Sequence, residues 1–225
     1  MTHVQKAKPS SPFLALLAAL LFASCESVVV TPEPTTVMPP VTNELIISEW
    51  ACSSTADADG FRNTYFEIYN GTGAAVDLSG YGALYRRNDR TFGGEVGDTL
   101  IFSGTIENAQ ALVIARPEAD PSIIDADFLW AALNANGDDA VALCTISGST
   151  FTILDLLGDE TRPSPAYDVA GVDNATRDRV LLRKYAVMNP NTDWTASRGS
   201  DSLNSEWMVF EKEYYFNAGK PTPNP

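Results

Sequence analysis

The chain has 225 residues, with 29 acidic side chains against 15 basic ones and a formal charge of −14. That balance opposes general attraction to nucleic acid or to anionic lipid, so nucleic acid is not an expected partner. The length suits one sizeable hydrophobic core or at most two small ones.

In chain order, the first twelve residues carry Lys6 and Lys8 and no acid, and Phe13 to Ala23 then reads FLALLAALLFA. A basic start before a short apolar core is the layout of an export signal. A mature membrane span needs about 20 apolar residues, and this core is roughly half that. The core runs into Leu21-Phe22-Ala23-Ser24-Cys25. Small residues at the two positions before a cysteine resemble the lipobox of bacterial lipoproteins, with Phe22 a departure from its usual small aliphatic residue. The resemblance implies removal of residues 1–24, a lipid on Cys25 and a membrane partner reached through that lipid. An ordinary secretory leader with Cys25 incidental is the alternative. Loss of the leader takes away Lys6 and Lys8, leaving 13 basic against 29 acidic residues and a charge of −16. It also removes His3, the only histidine. The mature chain then lacks the means for Ser-His-Asp or Cys-His catalysis and for histidine-containing zinc sites.

Residues 25–43 carry Pro32, Pro34, Pro39 and Pro40 among threonines and valines. Such a stretch favours extended, polyproline-like backbone and reads as a tether. Glu26 follows the cysteine where some inner-membrane lipoproteins have aspartate, which favours the outer membrane of a bacterial envelope.

From Glu44 the chain breaks into nine short apolar or alternating runs, from ELIISEW and TYFEIYN through DAVALCTI and FTILDLLG to DRVLLRKY and EWMVFEK. Turn-rich segments such as NGTG, NANGDD and GDETRPSP separate them. This spacing predicts an all-β sandwich or barrel over 44–219, with 220–225 as a tail. In TYFEIYN, Phe66 and Ile68 fall on one face and Tyr65, Glu67 and Tyr69 on the other, and one face is expected to be core. The single plausible helix is short, around 126–133.

Several of these runs, in their order, are similar to the lamin-tail domain family, in particular its exported bacterial members. The resemblance rests on Glu67-x-x-Asn70, on Val-Asp-Leu-Ser-Gly from Val76 through Asp77 to Gly80, on Gly137-Asp138-Asp139, on LLRKY at 181–185 and on SEWMVF followed by FNAG. It implies an immunoglobulin-like β-sandwich. It also implies a non-catalytic module, because family members fused to nucleases keep catalysis in the other domain. Glu67, Asn70, Asp77, Gly80, Gly137, Asp138 and Asp139 read mainly as architecture, with the Asn70-Gly71 and Asp77–Gly80 corners able to take left-handed backbone angles.

Cys52 and Cys144 remain as a pair in an oxidising compartment. A bridge closing roughly 90 residues would contribute about 4 kcal/mol, while the alternative is that Cys144 is simply a small buried side chain. Asp57-Ala58-Asp59-Gly60 has the alternation of a calcium loop but lacks an acid at its expected end, so calcium is a weak expectation beside a solvated loop. No other cofactor is suggested. Asp138 and Asp139, with Asp155 or Asp159, could hold a cation, but Asn-Gly-Asp-Asp is also a hairpin turn. Arg86, Arg87 and Arg90, and Arg177, Arg179, Arg183 and Lys184, could hold phosphate or acidic glycans, or be solvated strand edges. Trp130, Trp194 and Trp207 could form a sugar platform or pack in the core. The functional expectation is an anchored binding or scaffolding module with a protein or glycan ligand. A purely structural envelope lipoprotein, an accessory domain of a secreted hydrolase system and an unrecognised hydrolase working through a carboxylate pair are the alternatives.

Overall fold

The computed structural model describes residues 38–221 except Val96, Glu160, Arg162 and Ser164. The expected leader, residues 1–24, and Cys25 lie outside the described residues. The described chain forms β1 (Ile46–Cys52), β2 (Tyr65–Asn70), β3 (Val76–Asp77), β4 (Tyr81–Arg86), β5 (Thr99–Ile101), β6 (Thr105–Ile106), β7 (Gln110–Ala115), β8 (Phe128–Leu129), β9 (Ala140–Ser147), β10 (Thr150–Leu157), β11 (Arg179–Arg183), α1 (Trp194–Arg198) and β12 (Trp207–Glu211). A six-stranded sheet runs β12-β11-β1-β2-β7-β8 and a four-stranded sheet β10-β9-β4-β5, with β3 and β6 as a separate pair. The two sheets enclose a core of Trp50, Phe66, Leu84, Tyr85, Val141, Leu143, Leu157 and Leu181. The protein is an all-β sandwich.

Both sheets point the same way along β1 and β4. At one end Tyr81, which opens β4, donates from its hydroxyl to Glu44 at 3.1 Å, just before β1. At the other end the Cys52 thiol, closing β1, donates to the Ala135 carbonyl at 3.5 Å, in the loop that leads into β9. The seven residues of β1 separate these ends by about 20 Å at ~3.3 Å per residue. Residues 38–43, expected to be part of a free tether, lie on the first of these ends: Tyr69 donates to the Pro40 carbonyl at 2.8 Å and Thr42 N to Gly71 O at 3.0 Å. Gly71 is required there for space and not for a left-handed angle, since a Cβ would stand 2.6 Å from Pro40 O.

The alternation in β2 is present, but both of its faces are buried. Phe66 and Ile68 face the sandwich core, while Tyr65 joins a second cluster with Ala51, Val113, Ala115, Val180, Leu182 and Tyr215. This outer face is covered by the segment after β12. A bulge at Ser48, where the β1–β2 register jumps from Ile47 to Glu49, sets Glu49 directly opposite Glu67 on that covered face.

The helix expected around 126–133 is not formed. Phe128 and Trp130 turn toward the core while Leu129 between them is 65% exposed, and Trp130 N continues the ladder to Ala115 O at 2.8 Å. Two-residue alternation decided this segment. The one helix is α1, capped by Asp193, whose carboxylate accepts from Ala196 N at 3.0 Å, and it buries Trp194 and Ser197.

Candidate functional site

The loops at the far end from residues 38–43 enclose a polar cavity of about 290 Å³. Two segments form its walls, the β4–β5 loop with Arg87, Asn88, Arg90 and Glu95, and the loop into β9 with Asn134, Asn136 and Asp139; Tyr85 lies beneath them. The basic group and the Asn-Gly-Asp-Asp segment, about 50 residues apart in sequence, therefore meet in one place.

Asp139 holds the two loops together. Its Oδ1 accepts from Asn88 N at 2.9 Å and its Oδ2 from Asn136 N at 3.2 Å. Burial pushes its carboxyl above the usual carboxylate range, against the lowering effect of these bonds and of the Tyr85 hydroxyl. The Asn136 side-chain amide, oriented to donate, reaches Asp139 Oδ2 at 3.0 Å and also faces Asp138. The segment is thus no hairpin turn: β8 and β9 belong to different sheets. Gly137 sits at φ +116° with its Cα hydrogens against Arg177, where a Cβ would lie 2.4 Å from Arg177 Cβ. Only glycine gives both that angle and that approach.

The arginines around the cavity are paired. Arg87 donates from Nε to Asp98 Oδ1 at 2.9 Å, and Arg90 pairs with Glu95. Beside them, Arg62 and Arg116 each donate from Nη1 to Asn134 Oδ1 at 2.8 Å, and Arg116 is held by Glu118 at 2.9 Å. Arg86 departs from the expected solvated edge. It is fully buried and held by the Asn88 carbonyl and, at 2.9 Å, by the Tyr167 hydroxyl. Arg183 departs likewise, being 1% exposed.

The other candidate residues lie elsewhere. Asp57 and Asp59 are in the exposed β1–β2 loop, and Asp57 Oδ1 is occupied by the backbone amides of Asp59 at 3.0 Å and Phe61 at 2.9 Å. That is a self-capped turn. Asp155 is drawn away from Asp138 and Asp139 into the interior, where it meets Arg183. Among the described residues, no three histidine, cysteine, aspartate or glutamate side chains converge as a metal site. Cys52 and Cys144 are free and buried. They belong to different sheets, and Cys144 lies toward the opposite end, its thiol on the Gly82 carbonyl at 3.3 Å. The bridge is therefore not formed. Trp130, Trp194 and Trp207 are core residues, each 5% exposed or less, and supply no sugar platform. Asn70 works as a turn clamp: its nitrogen donates to the carbonyls of Ala74 at 2.8 Å and Ile106 at 2.9 Å, and its oxygen accepts from Thr72. Its backbone and that of Gly71 stay out of the left-handed region. At the second corner Asp77 accepts from Ser79 N at 2.8 Å, and Gly80 takes φ +114°.

Glu67 has a partner that sequence reading missed. Glu49 opposes it, and both are fully buried. Tyr65 donates to Glu49 Oε1, Asn217 donates to Glu49 Oε2 at 3.2 Å, and Gly219 N donates to Glu67 Oε1. Burial is the main cause that raises both carboxyls, Glu49 to about 7, and the Glu49 charge adds to the rise at Glu67. The signal available in sequence was a charged residue inside each of two apolar runs. The pair lies under the C-terminal segment, outside the cavity.

No family model matches the chain, no curated protein matches it and no solved structure matches it.

Proposed function

We propose that the chain is a non-catalytic binding or scaffolding module of the bacterial cell envelope, held by lipid on Cys25, on the outer membrane, with a lamin-tail type of sandwich. The observation that carries this reading is the polarity of the domain. The chain arrives along residues 38–43 at one end, and the polar cavity opens among the loops at the other, about 20 Å away by strand length. A tether joined at the first end leaves the cavity at the end of the sandwich remote from the attachment. Loops carried by a rigid sandwich are the usual place for recognition. The acidic surface, −16 without the leader, suits a module that stays clear of anionic headgroups.

Fractionation of cells carrying wild type and Cys25→Ser tests the anchor. Wild type is expected in the membrane fraction with a lipid mass on its N-terminal peptide, and the variant in the soluble fraction. Identical fractionation of the two, with no lipid mass on wild type, would overturn the anchor. Capture from envelope extracts with wild type and Arg90→Ala tests the cavity, with material retained by wild type and lost by the variant as the expected result.

A further inference from the structure

We infer that the polar cavity takes a neutral sugar residue of a glycan chain; this rests on the binding reading above and names its ligand class. The first ground is the charge balance of the site. Arg87 is neutralised by Asp98, Arg90 by Glu95 and Arg116 by Glu118, while Arg62 is engaged by the Ser53 and Ala135 carbonyls and by Asn134. The charged residues that line the cavity, Arg87 and Arg90 against Glu95 and Asp139, leave no excess positive charge for a phosphate, a sulfate or a uronic acid to neutralise. An anion entering here would meet the Glu95 and Asp139 carboxylates beside the two arginines, so the cluster that in sequence suggests an acidic ligand points, once folded, to an uncharged one.

The second ground is the chemistry of the walls. They present guanidinium, carboxamide and carboxylate groups, and the aromatic ring of Tyr85 is covered, 1% exposed. An apolar peptide side chain or an acyl chain would find no apolar anchor, whereas interfaces with proteins depend on buried apolar or aromatic anchors. Planar donors and acceptors in pairs match the adjacent hydroxyls of a sugar ring. Among the described residues Nδ2 of Asn134 and Nη1 of Arg87 carry no protein partner, although Oδ1 of Asn134 and Nε and Nη2 of Arg87 are fixed by their neighbours. The donors are thus aimed in advance by bonds made on their other side, which lowers the ordering cost of binding.

The third ground is size. A volume of about 290 Å³ lies at the lower edge of small-ligand sites, near ~300 Å³, which suits a single ring of an oligosaccharide with its neighbours in solvent.

The experiment is an array of neutral oligosaccharides of glucose, galactose, mannose and N-acetylglucosamine beside oligogalacturonates, probed with the full chain and with Arg90→Ala and Asn134→Ala. Arg90 is about half exposed, so its removal leaves the core intact, and thermal melting of each variant verifies this. The expected result is binding to at least one neutral oligosaccharide, weakened at least tenfold in both variants and displaced by the matching free monosaccharide. Binding confined to oligogalacturonates, no binding to any neutral oligosaccharide, or binding unchanged in Arg90→Ala would each overturn the inference. The broader binding reading fails separately. A silent array together with envelope material captured by wild type and lost in Arg90→Ala removes the sugar and leaves a binding module, whereas no capture removes both.

Discussion

Nη1 of Arg183 on β11 lies 3.0 Å from Oδ2 of Asp155 on β10, and this fully buried ion pair ties the six-stranded sheet to the four-stranded one. A bulge at Leu154, where the β10–β9 register jumps from Ile153 to Asp155, turns the carboxylate inward. There it also accepts from the amides of Ile47 at 2.7 Å and Asn191 at 2.8 Å. Arg183 reaches Glu206 at 2.6 Å with its other nitrogen and lies over the Trp207 ring at 4.7 Å. Both Asp155 oxygens and both terminal nitrogens of Arg183 are bonded, which is what keeps two buried charges tolerable, while Arg183 Nε is left without a partner among the described residues.

Breaking it should be costly. Arg183→Ala leaves Asp155 buried without its cation and is expected to lose about 3–5 kcal/mol of stability. Urea unfolding measures this. Asp155→Leu combined with Arg183→Met should lose much less, because neither partner then remains as an isolated charge.

The Glu49 and Glu67 pair predicts a pH dependence of opposite sign to that of ordinary salt-bridged carboxylates. Burial raises Glu49 to about 7 from 4.5, and Glu67 moves in the same direction. The folded state therefore binds protons that the unfolded chain has released. The stabilisation is fully present below pH 4.5 and is lost as pH rises through about 7, on the order of 3 kcal/mol for Glu49. Urea midpoints at pH 5 and pH 8 should differ in that sense. Glu49→Gln should flatten the difference and raise stability at pH 8, while Tyr65, Ser48, Asn217, Gly219 N and the Asp127 charge remain around Glu67.

The thiols should be silent in the folded protein. Burial pushes Cys52 up to about 12 and Cys144 to about 11, so neither forms thiolate near neutral pH. In a Cys25→Ser background, a thiol reagent is expected to label neither residue until the protein is unfolded, and then both. Dithiothreitol should leave the melting temperature unchanged, and a fall in melting temperature on reduction would show a bridge.

Gly137→Ala should destabilise the protein by about 1–3 kcal/mol through backbone strain alone. Its cost rises further because the new Cβ meets Arg177 at 2.4 Å. The same change should displace Asp138 and Asp139 and so disturb the cavity. Asn136→Ala, with no such strain, separates the two effects when stability and capture of envelope material are both measured.

The sandwich was legible in the sequence because strand formation follows a local rule. Alternating apolar runs broken by Gly, Asn, Asp and Pro predict strands wherever they occur, and every one of the nine runs contains one. The turn role of Asn70 was equally local, since its side chain bonds the backbone within four residues at Thr72 and Ala74. The short β8 was misread because two residues of strand beside Trp130 and three alanines imitate a helical turn. It is pairing with β7, distant in sequence, that makes it a strand.

The charged interior and the cavity were decided only by the tertiary structure. Whether Arg86 and Arg183 are solvated or buried depends on Tyr167 and Asp155, which lie 81 and 28 residues away. Whether Glu67 is a lone structural acid or half of a proton-holding pair depends on one extra residue at Ser48, which turns Glu49 to the same face. Whether the arginines near β4 seek an anion depends on carboxylates that the loops bring to them. Sequence alone determined the strands, the acidic charge and the absence of any histidine beyond His3. Electrostatics act through space, so the partners of each charge were settled only when distant segments met.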